Sequence, residues 1–420
     1  MKNSLTLPAA ALGLVLATSL ASAPAQAQAH AAATAPAESG TTANLTEEQT
    51  RHLVERLKSG LPGDYRARIA ALDAAVGLPP AGLGETNAGV AGAEPSRLVP
   101  AGGRSASPEL RLADGDNEVC QTTPLLEWQS AAYAEWTEYD LAEVVPWIDF
   151  FRMYDAVLFG TEADHQYYGT DGQFTTRVRQ TARDLKRFWD IPSGEIQVVP
   201  MHATVALDQA KVARLMELLM LYPADQAAQF AADFVPLVNQ EKFDYGMHPA
   251  LSFDAFAYYG GEVPGVGVIP PKILIGDGIL EAYATLGLGD VAPRAIVAHE
   301  YAHQIQYVRG LFASELTGAE LARRAEMMAD AYAGYFLAHV RGGALDRRQT
   351  KQVSQTFFQL GDCYLTSPGH HGTPNQRMRA ADWGAQVAKD GFPRGRILPT
   401  VAFAQRFDAH LPELVSADPA

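Results

Sequence analysis

Cysteine is scarce in this chain, with only Cys120 and Cys363 among 420 residues. So few thiols exclude a disulfide-rich scaffold, a four-cysteine zinc site and an iron–sulfur cluster held within one chain. Any metal site must therefore take its ligands from histidines and carboxylates. Basic residues are also outnumbered, because 33 Lys and Arg face 48 Asp and Glu and leave a formal charge of −15. Since phosphate repels such a chain, we expect neither nucleic acid nor an anionic membrane surface as a partner.

The sequence also lacks an apolar run of the about 20 residues that a membrane-spanning helix needs, which predicts no stable membrane insertion. The N-terminus has a shorter pattern. Lys2 precedes an apolar stretch over residues 5–20, and small residues at 25–29 offer an A-x-A cleavage site. These features are typical of a secretory signal peptide, so we expect residues 1–29 to be removed and the mature protein to be secreted or periplasmic.

Composition divides the rest of the chain into four parts. Residues 30–44 are small and polar and predict a flexible tether. Thr46 and Gln49 form a capping-box pattern, which predicts that residues 45–76 are a small helical region. Residues 77–118 are rich in Gly, Pro and Ala and predict a linker. The remaining residues, 119–420, are long enough for one catalytic domain.

Hydrophobic periodicity within this domain is mixed. It predicts helices over residues 128–145, 175–189 and 207–221, a strand over 196–205 and extended chain over 264–275. Because helices and strands do not alternate regularly, the pattern indicates the α+β fold class.

The most informative segment contains His299, Glu300 and His303. Pro293 in its first turn favours a helix that runs to about Val308. Residues four apart lie on one face of a helix, so the two imidazoles can bind a single ion. Glu300 is the next residue after His299, and its side chain can reach a water molecule bound to that ion. This is the H-E-x-x-H pattern of a metal site with a general base.

A catalytic zinc also needs a third protein ligand. The extended pattern with Gly at 306 and His at 309 is absent, since the chain has Gln306 and Arg309. A second predicted helix, residues 319–340, carries Glu326 and Asp330 on one face. We assign Glu326 as the third ligand and Asp330 as the acceptor for the free ring N–H of His299.

Other residues compete for these assignments or support them. Glu315, Glu320 and His339 are alternative third ligands, although surface exposure explains the first two better. Small residues along the second helix would let it pack closely against the first; they are Ala325, Ala329, Ala333 and Gly334.

These motifs resemble the gluzincin class of zinc metallopeptidases, and within it the HtpX and CAAX-prenyl-endopeptidase-like peptidases and the putative neutral zinc metallopeptidases. The resemblance covers residues 269–383. It implies a zincin-like catalytic domain with a small sheet, whose substrate-binding edge strand matches residues 271–280. It also implies an H-x5-R element, matched by His371 and Arg377. HtpX-like peptidases are commonly membrane-embedded, whereas this sequence predicts no such insertion.

The resemblance gives roles to the H-x5-R pair. His371 would donate a hydrogen bond to the oxyanion formed when water adds to a peptide carbonyl. His370 is an equally good donor by chemistry, and only the H-x5-R spacing favours His371. Arg377 would fix this loop or pair with Asp330.

The sequence therefore predicts a secreted zinc endopeptidase acting on peptide or protein substrates. Zinc would be held by His299, His303 and Glu326, with Glu300 as general base and the substrate along residues 273–276. One alternative is a non-catalytic zinc-binding scaffold, for which a general base has no use. Another is a zinc hydrolase of a non-peptide amide, which shares the same core residues.

The two cysteines form a disulfide candidate. An oxidising compartment permits a bond between Cys120 and Cys363, which would join the start of the domain to the segment before His370. Two separate buried thiols are the alternative, because sequence alone does not place the two Cα atoms within bonding range.

Overall fold

A computed structural model describes seven stretches of the chain: residues 44–75, 122–162, 166–263, 265–363, 365–366, 369–390 and 395–416. The described residues from Asn44 onward belong to one compact unit. The predicted signal peptide, the tether up to residue 43 and the predicted linker 77–118 lie outside these stretches, so those assignments stay predictions. Of the helices in the described stretches, none combines the length and apolar composition needed to cross a bilayer.

Helices make up most of the described residues. In chain order they are α1 (Glu47–Ser59), α2 (Tyr65–Ala75), α3 (Pro124–Ala132), α4 (Val145–Phe159), α5 (Thr175–Phe188), α6 (Gln209–Met220), α7 (Ala224–Val238), α8 (Asp277–Thr285), α9 (Ala292–Arg309), α10 (Gly318–Ala338), α11 (Arg347–Gln359), α12 (Pro374–Asp390) and α13 (Thr400–Leu414). A π-helical turn, Asp140–Val144, leads into α4. With the small sheets below, this confirms the predicted α+β class.

Five short strands form two sheets in the described stretches. They are β1 (Gln197–Met201), β2 (Ala255–Tyr258), β3 (Gly261–Val263), β4 (Gly267–Ile269) and β5 (Lys272–Gly276). The larger sheet has the order β1-β5-β2, with β1 parallel and β2 antiparallel to β5. β3 and β4 pair as an antiparallel hairpin.

The edge strand of the larger sheet was predicted at the wrong position. Residues 271–280 were predicted to be a substrate-binding edge strand, but β5 is the central strand and its neighbours use both of its edges. The strand also ends at Gly276, and α8 begins at Asp277. An apolar run is typical of any buried strand, so periodicity did not distinguish a central strand from an edge strand. The edge beside α9 is β2, and a substrate therefore has no access to residues 273–276 as a pairing partner.

Two alanines form the outer edge of β2. The amide of Gly276 donates to the carbonyl of Asp254, which makes these two residues a hydrogen-bonded pair. Such pairs alternate along an antiparallel ladder, so Ala255 and Ala257 are in non-hydrogen-bonded pairs. Their N–H and C=O groups therefore point away from β5, towards the outer edge, where the Tyr307 hydroxyl donates to Ala257 O over 3.4 Å.

The two faces of this sheet pack against separate cores. Ala255, Ile273 and Ile275 contact the core built with α5 and α8 to α13. Phe256, Tyr258 and Leu274 contact the core built with α1, α4, α6 and α7. Val54 and Leu57 of α1 are buried in the second core, so the small N-terminal helices pack on the body of the protein.

Capping residues and hydrophobic periodicity in the sequence predicted several helix ends correctly. The capping box of Thr46 and Gln49 is present, and α5 and α6 confirm two predicted helices to within two residues. The helix predicted over 128–145 is interrupted, because residues 133–137 form a turn between α3 and the helical segment that leads through Asp140–Val144 into α4. Between them, buried Trp136 donates its indole N–H to Lys242 O over 2.7 Å, and this tertiary contact stabilises a turn.

Candidate metal centre

Helix α9 carries three of the predicted site residues. Pro293 lies in its first turn, where the missing N–H costs nothing, and Gly310 ends the helix with φ 64°. His299 and His303 are one turn apart and therefore share a face. His299 and Glu300 are buried, whereas His303 is partly exposed.

Helix α10 brings Glu326 to the two imidazoles. Glu326 Oε2 lies 3.3 Å from His299 Nε2, and Glu326 Oε1 lies 3.4 Å from His303 Nε2. The two Nε2 atoms are 3.1 Å apart. These three side chains form a group that could hold a metal ion.

The separations between the donor atoms fit one tetrahedral ion. Nitrogen and carboxylate ligands lie about 2.0–2.2 Å from zinc, which places neighbouring tetrahedral ligand atoms about 3.3–3.5 Å apart. The two imidazole nitrogens are 3.1 Å apart, and each lies 3.3 to 3.4 Å from a different oxygen of the Glu326 carboxylate. The donor set therefore matches a small dication in both chemistry and spacing.

Each histidine is oriented by a hydrogen bond from its other ring nitrogen. His299 Nδ1 donates to Asp330 Oδ1 over 2.9 Å, and His303 Nδ1 donates to Gln306 Oε1 over 2.8 Å. Gln306 Nε2 in turn donates to Ala325 O on α10, which fixes the orientation of the amide. Both Nε2 atoms are thereby directed at Glu326, as metal ligands require.

The guanidinium group of Arg377 contacts the carboxylates of both Asp330 and Glu326. Its Nε and Nη2 donate to the two oxygens of Asp330, each over 2.8 Å. Nη2 also lies 3.5 Å from Glu326 Oε2. The side chains of Arg377 and Asp330 are fully buried, so this is a rigid, charge-assisted contact.

The pKa shifts of the three candidate ligands show that this site favours a positive charge. Burial opposes it, but hydrogen bonds and charge from Asp330 and Glu326 raise the pKa of His299 to about 10. Burial lowers the pKa of His303 to about 4. Against burial, the nearby histidines lower the pKa of Glu326 well below its usual value. A proton on His299 thus supplies the positive charge that an ion would otherwise bring.

Glu300 is a buried carboxyl group beside this centre. Burial raises its pKa to about 8; His299 counteracts this, while Glu326 and Asp254 add to it. A carboxyl group with a pKa near neutrality can both accept and return a proton, as a general base must.

The two histidines of the H-x5-R loop have different surroundings. His370 is buried and donates from Nδ1 to Asp362 Oδ1 over 2.6 Å. His371 donates its backbone N–H to Asp362 Oδ2 over 2.7 Å. The charge of His371 also lowers the pKa of Glu326, so this imidazole lies close to the candidate ligands.

Two residues that support the site, Gln306 and Asp362, were not predicted from the sequence. Gln306 is three positions after His303 on the same helix face, a spacing that could have identified it. Asp362 organises both loop histidines, but its distance of eight and nine residues from them follows no helix or strand period.

The alternative ligands do not join the group. Glu315 and Glu320 are exposed, and His339 is buried with Nε2 3.5 Å from Arg396 O. Gly334 was predicted to bring α10 close to α9, but this was wrong. A Cβ atom at Gly334 would lie 2.2 Å from Ala381 O, so its close contact is with α12.

Cys363 follows Asp362 directly and is disulfide-bonded. Cys120 lies outside the described residues, so the pairing of these two cysteines stays a prediction.

No protein-family model, curated protein or solved structure matches this chain.

Proposed function

We propose that this protein is a zinc-dependent peptidase of the gluzincin type, exported from the cytoplasm. The observation that carries the proposal is the position of Glu300, a buried carboxyl group with a pKa near 8, beside the convergent group of His299, His303 and Glu326. A purely structural metal site needs no such base, and catalytic zinc sites with three protein ligands leave a position for water.

Zinc bound by these three residues would lower the pKa of a water molecule and polarise a substrate carbonyl. Glu300 would take a proton from the attacking water and return it to the leaving amine. Its burial supports this role, because desolvation makes the carboxylate a stronger base.

His371 would stabilise the oxyanion that develops on the attacked carbonyl. Its charge acts on Glu326, and the two oxygens of Asp362 hold the His370–His371 segment in place. A donor held in position before reaction costs no reorganisation when charge develops.

The substrate backbone would lie along β2 rather than along β5. Ala255 is buried, so an extended peptide would pair with this edge at Ala257, which is partly exposed and whose carbonyl accepts the Tyr307 hydroxyl over 3.4 Å. A small sheet with a substrate-binding edge strand is what the gluzincin resemblance implies.

Metal analysis of the purified protein, together with digestion of a proteome-derived peptide library, tests the proposal. We expect about one zinc per chain in both the wild type and Glu300→Gln, with turnover in the wild type alone. Glu315→Gln, which changes an exposed carboxylate between α9 and α10, is the matched control and should remain active. Absence of bound zinc, or equal activity of Glu300→Gln, would refute the proposal. A zinc-loaded wild type that cleaves no peptide would favour the scaffold or a non-peptide amide hydrolase.

A further inference from the structure

The metal centre is exposed to solvent on one side only. The side chains of His303 and Glu326 are 13% and 14% exposed, whereas those of His299 and Asp330 are 2% and 0% exposed. Solvent, and with it a substrate, therefore reaches the candidate ligands on the side of His303 and Glu326.

Arg323 of α10 lies on this exposed side. Later residues of α9 contact earlier residues of α10, so the two helices are antiparallel. Arg323 is three residues before Glu326 and therefore lies beside this ligand on one face of α10. Because Asp330 marks the buried side, the turn that carries Arg323 continues α10 beyond Glu326 towards solvent. Arg323 itself is partly exposed.

The aliphatic stem of Arg323 also lies against the loop that carries His371. A Cβ atom added at Gly372 would be 3.5 Å from Arg323 Cγ, so the loop backbone approaches the stem of this arginine closely. The loop is fixed at the same place, because Asp362 N donates to Gly372 O over 3.0 Å. The Arg323 side chain is thus beside both the ligand Glu326 and the His371 segment.

The guanidinium group of Arg323 has no hydrogen bond or ion pair with any residue of the described stretches. Two other arginines of the ligand helices do have acidic partners there. Arg309 pairs with Asp190, and Arg324 donates to both carboxylate oxygens of Asp408. An arginine is always charged, and its five N–H donors form a planar fork that matches a carboxylate. Arg323 therefore presents an unused carboxylate-binding group beside the metal centre.

Arg294 offers a comparison within the same pair of helices. It is also partly exposed and has no side-chain partner among the described residues. However, it lies in the first turn of α9, nine residues before His303, which corresponds to about 13 Å along the helix. Arg294 is therefore far from the exposed ligands, and position rather than charge alone distinguishes Arg323.

We infer that Arg323 binds a carboxylate of the substrate, so that the enzyme prefers peptides with a negative charge close to the cleaved bond. This inference rests on the proposed peptidase function. Two groups of a peptide supply the same chemistry: the side chain of an Asp or Glu, and the C-terminal carboxylate. Either can form the bidentate, charge-assisted pair that arginine makes with carboxylates.

Four versions of one peptide test this inference. The parent is a sequence that the wild type cleaves in the proteome-derived library next to an acidic residue. The second version has a C-terminal amide, the third has Asn and Gln in place of Asp and Glu, and the fourth has both changes. Wild-type kcat/KM should be about 10- to 100-fold lower for the fourth version than for the parent, mainly through KM. Whichever of the second and third versions reproduces the loss identifies the carboxylate.

Variants of Arg323 should remove this preference. Arg323→Met keeps an apolar stem against Gly372 but has no charge, so it should hydrolyse the four versions with equal kcat/KM. Arg323→Lys keeps the charge without the planar fork and should show an intermediate preference. Arg294→Met is the matched control and should keep the full preference of the wild type.

Binding to an inactive enzyme separates recognition from chemistry. Fluorescence anisotropy with N-terminally labelled peptides should show that Glu300→Gln binds the parent more tightly than the fourth version. The double variant Glu300→Gln/Arg323→Met should bind the two versions equally. If Arg323→Met does not fold, Arg323→Lys and the wild-type comparison still decide.

Two results would overturn the inference while leaving the proposed function intact. One is an equal wild-type kcat/KM for the parent and the fourth version. The other is a preference for the parent that persists in Arg323→Met. Hydrolysis of no peptide in the library by the zinc-loaded wild type would instead refute the peptidase function, and the inference with it.

Discussion

Arg377 and Asp330 form a bidentate ion pair with no solvent exposure on either side chain, directly behind the candidate metal ligands. Asp330 uses one of the same oxygens to accept the N–H of His299. A single carboxylate therefore connects the ligand helix α9, its own helix α10 and Arg377 of α12.

Replacing Arg377 with methionine should destabilise the fold strongly. The substitution leaves Asp330 buried without its main counter-charge, and breaking a buried pair in this way costs about 3–5 kcal/mol. Urea unfolding of the metal-free protein measures the loss. Arg348→Met removes an exposed arginine from α11 and should change the free energy of unfolding by less than about 0.5 kcal/mol. Equal free energies of unfolding for the two variants would show that the Arg377–Asp330 pair does not stabilise the fold.

Gln306→Leu should weaken metal binding with little change in the fold. The leucine fills a similar volume but cannot accept the Nδ1 proton of His303, so that ring loses its orientation. Loss of such a supporting contact typically reduces metal affinity about 10- to 100-fold. Competition with a chelator of known zinc affinity gives the dissociation constant. An affinity equal to that of the wild type would show that His303 is oriented by its surroundings alone.

The candidate metal ligands were predictable because their arrangement depends on local spacing. His299 and His303 share a helix face by their separation of four, and Glu326 and Asp330 do so on α10. The role of Asp362 depends instead on which loops the fold brings together. The position of β5 was missed for a similar reason, since a strand's neighbours are set by topology and not by its own residues. The helix predicted over 128–145 is interrupted near Trp136, because this residue bonds to Lys242, which lies more than 100 residues away in the sequence.

Gly334→Ala should destabilise the packing of α10 on α12. An added Cβ atom would lie 2.2 Å from Ala381 O, and the reciprocal contact at Gly384 is 2.0 Å from Ala331 O. Since the obstacle is backbone, the helices must separate, and such overpacking costs about 1–3 kcal/mol or more. Thermal unfolding measures the effect. Gly194→Ala is the control, because no atom lies within 4 Å of its added Cβ. A neutral Gly334→Ala would mean that the two helices can move apart freely.

The cysteines give a prediction about stability. If Cys363 is bonded to Cys120, then Cys120→Ser should cost about 2–5 kcal/mol of unfolding free energy, and reduction of the wild type should cost the same. Reductant should have no further effect on the variant. Denaturant titrations with and without reductant make the comparison. Two titratable thiols in the unfolded, unreduced wild type would exclude the bond.

Lys272 makes the stability of the protein depend on pH in the alkaline range. This lysine is buried on the central strand β5, where its ammonium group donates to Val157 O over 2.6 Å. Burial lowers its pKa from 10.5 to about 8, with Asp155 opposing part of the shift. The unfolded chain therefore binds the proton more tightly than the folded chain does. The resulting penalty, about 3 kcal/mol, is complete below about pH 8 and disappears as the pH rises to about 10.5.

Lys272→Met should remove this penalty. At pH 7 we expect the variant to be more stable than the wild type, by up to about 3 kcal/mol less the about 1 kcal/mol of the lost hydrogen bond. This advantage should shrink as the pH rises, because the wild-type lysine becomes neutral in the unfolded chain as well. Urea unfolding of both proteins at several pH values between about 7 and about 10.5 measures the difference. Lys351→Met, at an exposed position on α11, should show no pH-dependent difference from the wild type. A constant difference between Lys272→Met and the wild type over this range would show that the folded protein keeps Lys272 charged to its usual pKa.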